Sequence, residues 1–178
     1  MIVAKQFADL ITATRGLIAF FLIWLGSSHG AEGLSLAVWL MLADWIGDAI
    51  DGPISRRSSV KYHTWIGDHD LEIDMTVSIG LLIYMLQAGY LSIWVVVGYL
   101  VLWGGYFLQH NGIPRSYGML FQTPIYAWFI YIALRDAPQV ALLILVFIVA
   151  VIVLTWPRFP KVIIPGFFED IRRQQNQQ

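Results

Sequence analysis

Aspartate is the residue type through which this sequence can do chemistry. Six of its twelve acidic residues fall between Asp48 and Asp74, and Asp44 lies just before them. Asp44, Asp48 and Asp51 are spaced i+4 and i+3, which on a helix sets them in one stripe. Asp70 and Asp74 repeat the i+4 spacing. The basic segment Ser55-Arg56-Arg57-Ser58-Ser59-Val60-Lys61 separates the two groups and is short enough for the helices to lie side by side. Carboxylates converging from two helices suit hard divalent cations, Mg2+ or Mn2+, which take oxygen ligands and are commonly completed by substrate phosphates. A pair of such ions polarises a phosphorus centre and stabilises both entering and leaving oxygens. Gly52 lets a phosphate approach the backbone closely, and Arg56 and Arg57 bring guanidinium forks suited to its oxygens. Asp48 is the leading ligand candidate. Cysteine is absent, which removes thiolate metal sites, cysteine nucleophiles and disulfides.

The elements that must carry these aspartates are unusually apolar. Of the 178 residues, 58% are hydrophobic and only 13% are charged, with a mean hydropathy of +0.66, too few polar groups to solvate a soluble surface. A helix needs roughly 20 mostly apolar residues to cross the hydrocarbon core. On that measure the chain is expected to be an all-α integral membrane protein with six transmembrane helices and short interfacial segments at both ends. The spans run about Leu10–Gly26, Leu34–Ile50, Ile73–Gln87, Leu91–Leu108, Tyr117–Leu134 and Val140–Trp156. Breaks are expected at Ser27-Ser28-His29-Gly30, Gly52-Pro53, Gly89, Gly112-Ile113-Pro114 and Asp136-Ala137-Pro138. The third helix is expected to begin before its apolar run, near Thr64 or Trp65. Residues 1–178 form one domain, without linker or internal repeat, and Pro157 to Gln178 makes an interfacial and cytoplasmic tail. The first apolar run, which contains Arg15, is read as a retained span rather than a cleaved signal.

Basic residues set the orientation. With the N-terminus inside, Lys5, Arg56, Arg57, Lys61, Arg115, Arg158, Lys161, Arg172 and Arg173 fall on the cytoplasmic side, and only Arg135 falls outside. Both termini and the aspartate cluster are therefore expected at the cytoplasmic face. Acids beside the bilayer cost several kcal/mol each unless paired, solvated or metal-bound, so their spacing asks for an explanation.

The string Asp48-x2-Asp51-Gly52-x2-Ser55-Arg56, followed by Asp70-x3-Asp74, resembles the signature of the CDP-alcohol phosphatidyltransferase family, D-x2-D-G-x2-A-R, eight or nine residues, then G-x3-D-x3-D. Asp9-x2-Thr12-x2-Arg15 is similar to the family's N-x2-T-x2-R in the first span, with Asp in place of Asn. Two positions depart from the pattern: Ser55 stands where the family has alanine, and Gly67 lies three residues before Asp70, leaving Ile66 at the family's glycine position. The resemblance implies transfer of a phosphatidyl or similar phosphoalcohol group from a CDP-alcohol, such as CDP-diacylglycerol, to an alcohol, releasing CMP in phospholipid biosynthesis. It implies that Asp48, Asp51, Asp70 and Asp74 hold two divalent cations, that Asp74 also accepts the proton of the incoming hydroxyl, and that Gly52 and Arg56 contact the cytidine diphosphate. The acceptor is set outside the signature, with glycerol phosphate the first expectation. Besides donor, acceptor and membrane lipids, the partners implied are a second copy or a larger membrane complex, and no nucleic acid.

Blander readings stand beside these. Asp68 and Glu72 are expected to be solvated helix-end acids, and neither they nor Asp44 are assigned a role. Arg15 either snorkels to the interface or lies near the site. Thr12 is expected to serve helix packing, His63 and His110 to have no ligand role, and Ser116 and Gln122 to line an acceptor pocket. Two rival functions remain: a family member without catalysis that serves as a structural subunit, and a small proton or ion transporter built on the same acids.

Overall fold

The computed structural model describes residues 4–56, 69–110 and 112–157, with Lys161, Pro165, Gly166, Glu169 and Arg172 beyond them; for residues 4–9, Ala13 and 51–56 it describes the backbone alone. The described chain is all-helical. Helix α1 spans Ala4–His29, a 3-10 turn covers Gly30–Gly33, and α2 spans Leu34–Arg56. There follow α3 (Asp70–Gln87), α4 (Ile93–Gln109), α5 (Arg115–Asp136) and α6 (Pro138–Thr155). The expected start of the third helix near Thr64 or Trp65 lies outside the described residues, as does most of the tail.

Helices α1 and α2 form a hairpin. Gly30 adopts φ +52, a left-handed conformation that costs glycine little, and the chain reverses there. The hydroxyl of Tyr84, a fully buried residue of α3, donates to the Gly30 carbonyl oxygen at 3.2 Å and ties the turn to the end of that helix. Tyr84→Phe should remove that bond while keeping the ring, lowering stability by about 0.5–1.5 kcal/mol in thermal unfolding.

The most extensive packing is between α1 and α3. Their pairings advance together along both helices, Gly16 beside Ile73, Ala19 beside Gly80 and Gly26 beside Tyr84, so the two run parallel. Small residues let the backbones touch: a Cβ on Gly80 would lie 2.7 Å from Cα of Ala19 and 2.8 Å from its carbonyl oxygen. Helix α5 packs on α3 and α6, and α6 closes back on α2. Leu22, Leu25, Val38, Met41, Leu81 and Phe129 are among the fully buried core residues.

Much of the outer surface is apolar as well. Leu154, Trp94 and Leu108 are each more than 80% exposed, and α4 buries only Val96. Two stretches, Leu10–Ile50 and Pro138–Thr155, are long and apolar enough to cross a membrane, and Ile93–Gln109 is apolar but shorter. The expectation of six spans is thus met in part: length and composition support two, not six. The shortfall has chemical causes. Asp70, Glu72 and Asp74 occupy the opening turns of α3, while α5 carries Arg115, Gln122, Pro124, Arg135 and Asp136.

One expected break is corrected. Gly52-Pro53 does not end the second helix, which continues through both residues to Arg56. Proline there removes one main-chain donor and crowds the carbonyl four residues back, yet the helix carries on to Arg56, with Asp44, Asp48 and Asp51 all on α2 ahead of the proline.

Candidate metal centre

The centre is assembled from three helices. On α2, the i+4 spacing puts Asp44 and Asp48 on one face; on α3, it does the same for Asp70 and Asp74. Between them lies Arg15 of α1, only 4% exposed. Its Nε donates to Oδ1 of Asp44 at 2.9 Å, Nη1 to Oδ1 of Asp48 at 3.3 Å, and Nη2 to Oδ1 of Asp74 at 2.5 Å. Nη1 also makes an ion pair with Oδ1 of Asp70 at 3.8 Å. The arginine stem lies against Gly47, where a Cβ would come within 3.1 Å of Cδ and 3.4 Å of Cγ.

Among the described residues, four carboxylates thus surround one guanidinium, a charge imbalance that a divalent cation would offset. Ligand oxygens of Asp48, Asp70 and Asp74 all lie within 4.8 Å of one another, so the three form a group able to hold a metal ion. Oδ1 of Asp70 is buried and accepts no hydrogen bond among the described residues; its charge partner is the Arg15 guanidinium at 3.8 Å. The set is all oxygen, which suits Mg2+ or Mn2+. Burial raises the Asp70 carboxyl above its ordinary value, opposed by Arg15 and reinforced by Asp48.

The group opens onto a cleft of about 470 Å³ between α3 and α5. Asp48, Asp70, Glu72, Asp74, Arg115 and Gln122 supply its polar lining, and Leu71, Ile113 and Met119 its apolar part. Gln122 accepts a hydrogen bond from the Tyr126 hydroxyl at 3.1 Å, and the Tyr126 ring meets Trp45 of α2 edge-on. Gly118 of α5 lies against the Leu71 side chain of α3, where a Cβ would come within 2.9 Å of Cδ1.

Of the residues singled out in the sequence, Asp48, Asp70 and Asp74 come together. Asp51, Gly52 and Arg56 lie on α2, where the backbone alone is described, and Arg57, Lys61, His63, Ile66, Gly67 and Asp68 lie outside the described residues. Glu72, read as a solvated acid, lines the cleft. Gln122 lines it as well, whereas Ser116 is buried and is not part of its lining. His110 stacks on Tyr106 with ring centroids 4.2 Å apart. Thr12 is buried on α1.

Two residues matter more than their sequence context suggests. Asp44, which the spacing gives no role, is 1% exposed and bonded to Arg15. Arg15 does not snorkel to the interface but is buried among the carboxylates of the site. The available signal is physical: a basic residue inside an apolar run needs a counter-charge, and the hairpin folds the α2 acids back toward it. Comparison of the chain with protein-family models, with curated proteins and with solved structures finds no match in any of the three.

Proposed function

We propose that this chain is a membrane transferase of the CDP-alcohol phosphatidyltransferase type, moving a phosphatidyl or similar phosphoalcohol group from a CDP-alcohol to an alcohol acceptor. The observation that carries the reading is the gathering of Asp48, Asp70 and Asp74 from two helices beside a polar cleft. In this reading the chain crosses the bilayer six times, with both termini and the cleft at the cytoplasmic face. The hairpin of α1 and α2 within the Leu10–Ile50 stretch, and the apolar outer faces of α4 and α6, support that topology.

Asp48, Asp70 and Asp74, with Asp51 one helical turn beyond Asp48, would hold two divalent cations, Mg2+ or Mn2+. Bound there, the ions supply Lewis-acid polarisation and charge neutralisation at the diphosphate. Asp74 takes the proton of the acceptor hydroxyl as its oxygen bonds to phosphorus. The bond between that phosphorus and the CMP oxygen breaks, and CMP leaves with the electron pair. Gly52 and Arg56, at the cytoplasmic end of α2, contact the cytidine diphosphate, with the guanidinium fork matched to phosphate oxygens.

CDP-diacylglycerol with Mg2+ should raise the unfolding temperature of the purified protein, and Asp48→Asn should remove that shift. Proton flux in liposomes that Asp74→Asn blocks, in place of ligand stabilisation, would support transport instead. Acidification gives a second check. Because burial raises the Asp70 carboxyl, protons compete with metal at a higher pH than for an ordinary carboxylate. Mn2+ affinity followed as the pH is lowered should therefore begin to fall before ordinary carboxylates titrate. An affinity that stays flat until ordinary carboxylates titrate would remove Asp70 from the ligand set.

A further inference from the structure

A buried arginine needs one counter-charge, and Asp44 provides it: the pair is 4% and 1% exposed, with Nε to Oδ1 at 2.9 Å. Arg15 does more than satisfy itself. With one edge held by Asp44, its two terminal nitrogens reach Oδ1 of Asp48 on α2 and Oδ1 of Asp74 on α3, carboxylates of two residues in the candidate metal group. Asp44 is not a member of that group. Carboxylates this close repel one another, and the repulsion acts between different helices, where it drives them apart. The guanidinium fork opposes that repulsion in a fixed direction, because its planar donors are rigid relative to one another. Gly47 completes the device by leaving room for the arginine stem against α2.

We propose that Arg15, locked by Asp44 and seated against Gly47, is a positioning residue that gathers Asp48 and Asp74 from their two helices into a metal-binding arrangement. The inference rests on the metal reading above, but not on the identity of the reaction. Asp44 and Gly47 act through Arg15 and touch no ligand themselves.

The test is a Mn2+ titration of the full chain in detergent, with helix content and unfolding temperature followed in parallel. Arg15→Lys keeps the charge and removes the fork, and should weaken Mn2+ binding by about tenfold or more, the usual effect of removing a group that orients metal ligands. Gly47→Ala changes no charge and crowds the stem at 3.1 Å from Cδ, and should weaken binding by about tenfold at most. Asp44→Asn combined with Arg15→Lys should bind no more weakly than Arg15→Lys alone, because the two residues act in series. A merely structural role would lower the unfolding temperature and leave the affinity of the folded fraction unchanged. Should Arg15→Lys fail to fold, Gly47→Ala and Asp44→Asn decide. Folded variants that bind Mn2+ as the wild type does overturn the inference and leave the transferase reading standing. Wild-type protein that binds Mn2+ and releases no CMP overturns the transferase reading and leaves this inference standing. Wild-type protein that takes up no Mn2+ overturns both.

Discussion

Asp74→Asn should abolish CMP release while the protein remains folded. Asparagine preserves the size of the side chain and one oxygen able to accept from Nη2 of Arg15, which Asp74 does at 2.5 Å. It cannot take up the hydroxyl proton, and it is a neutral, weaker metal ligand. Loss of a positioned base alone lowers a rate by about 10²–10⁴-fold, and loss of a ligand from the Asp48–Asp70–Asp74 group adds to this. Arg15 keeps its bond to Asp44, so the buried charge remains paired and the helices keep their packing. Asp48→Asn should act in the same direction through metal binding. The check is CMP release by each variant beside its helix content and elution volume. A rate within a few-fold of wild type would remove Asp74 from the chemistry.

The second large effect is on folding, at Gly80. A Cβ there would lie 2.7 Å, 2.8 Å and 3.0 Å from Cα, the carbonyl oxygen and Cβ of Ala19. The first two are main-chain atoms, so no rotamer change relieves the contact. Overpacking of this kind costs about 1–3 kcal/mol for a small addition and more where backbone must move. Gly80→Ala should lower the unfolding temperature clearly, and Gly80→Leu should yield no folded protein. The effect carries to the site, because α1 brings Arg15 and α3 brings Asp70 and Asp74. Gly80→Ala should therefore also weaken Mn2+ binding. Wild-type stability in Gly80→Leu would contradict the close crossing of α1 and α3.

What was legible in the sequence was local. The i+4 spacings of Asp44 with Asp48 and of Asp70 with Asp74 depend only on helical geometry, and both lie on helices. The apolar runs were legible for the same reason: four of the six expected spans, from Ile73 to Trp156, begin and end within about three residues of α3 to α6. The remainder depended on tertiary register. Arg15 meets partners 29, 33 and 59 residues away, and no periodicity within one helix encodes that meeting. Gly47 and Gly80 look like ordinary helix glycines until the neighbouring helix shows what a Cβ would strike. Gly52-Pro53 carried a breaker signal that the helix context overrode. The six-span expectation counted apolar runs, whereas the acids and bases of α3 and α5 lower what each helix offers a bilayer by itself.

The most direct measurement is CMP release by the purified wild-type protein in lipid or detergent. CDP-diacylglycerol would be supplied with a panel of acceptors, including glycerol phosphate, inositol phosphate and serine, in Mg2+ or Mn2+ and then in chelator. CMP should form with at least one acceptor, and chelator and Asp74→Asn should each abolish its formation. No CMP with any acceptor, together with no divalent cation bound at Asp48, Asp70 and Asp74, would contradict it.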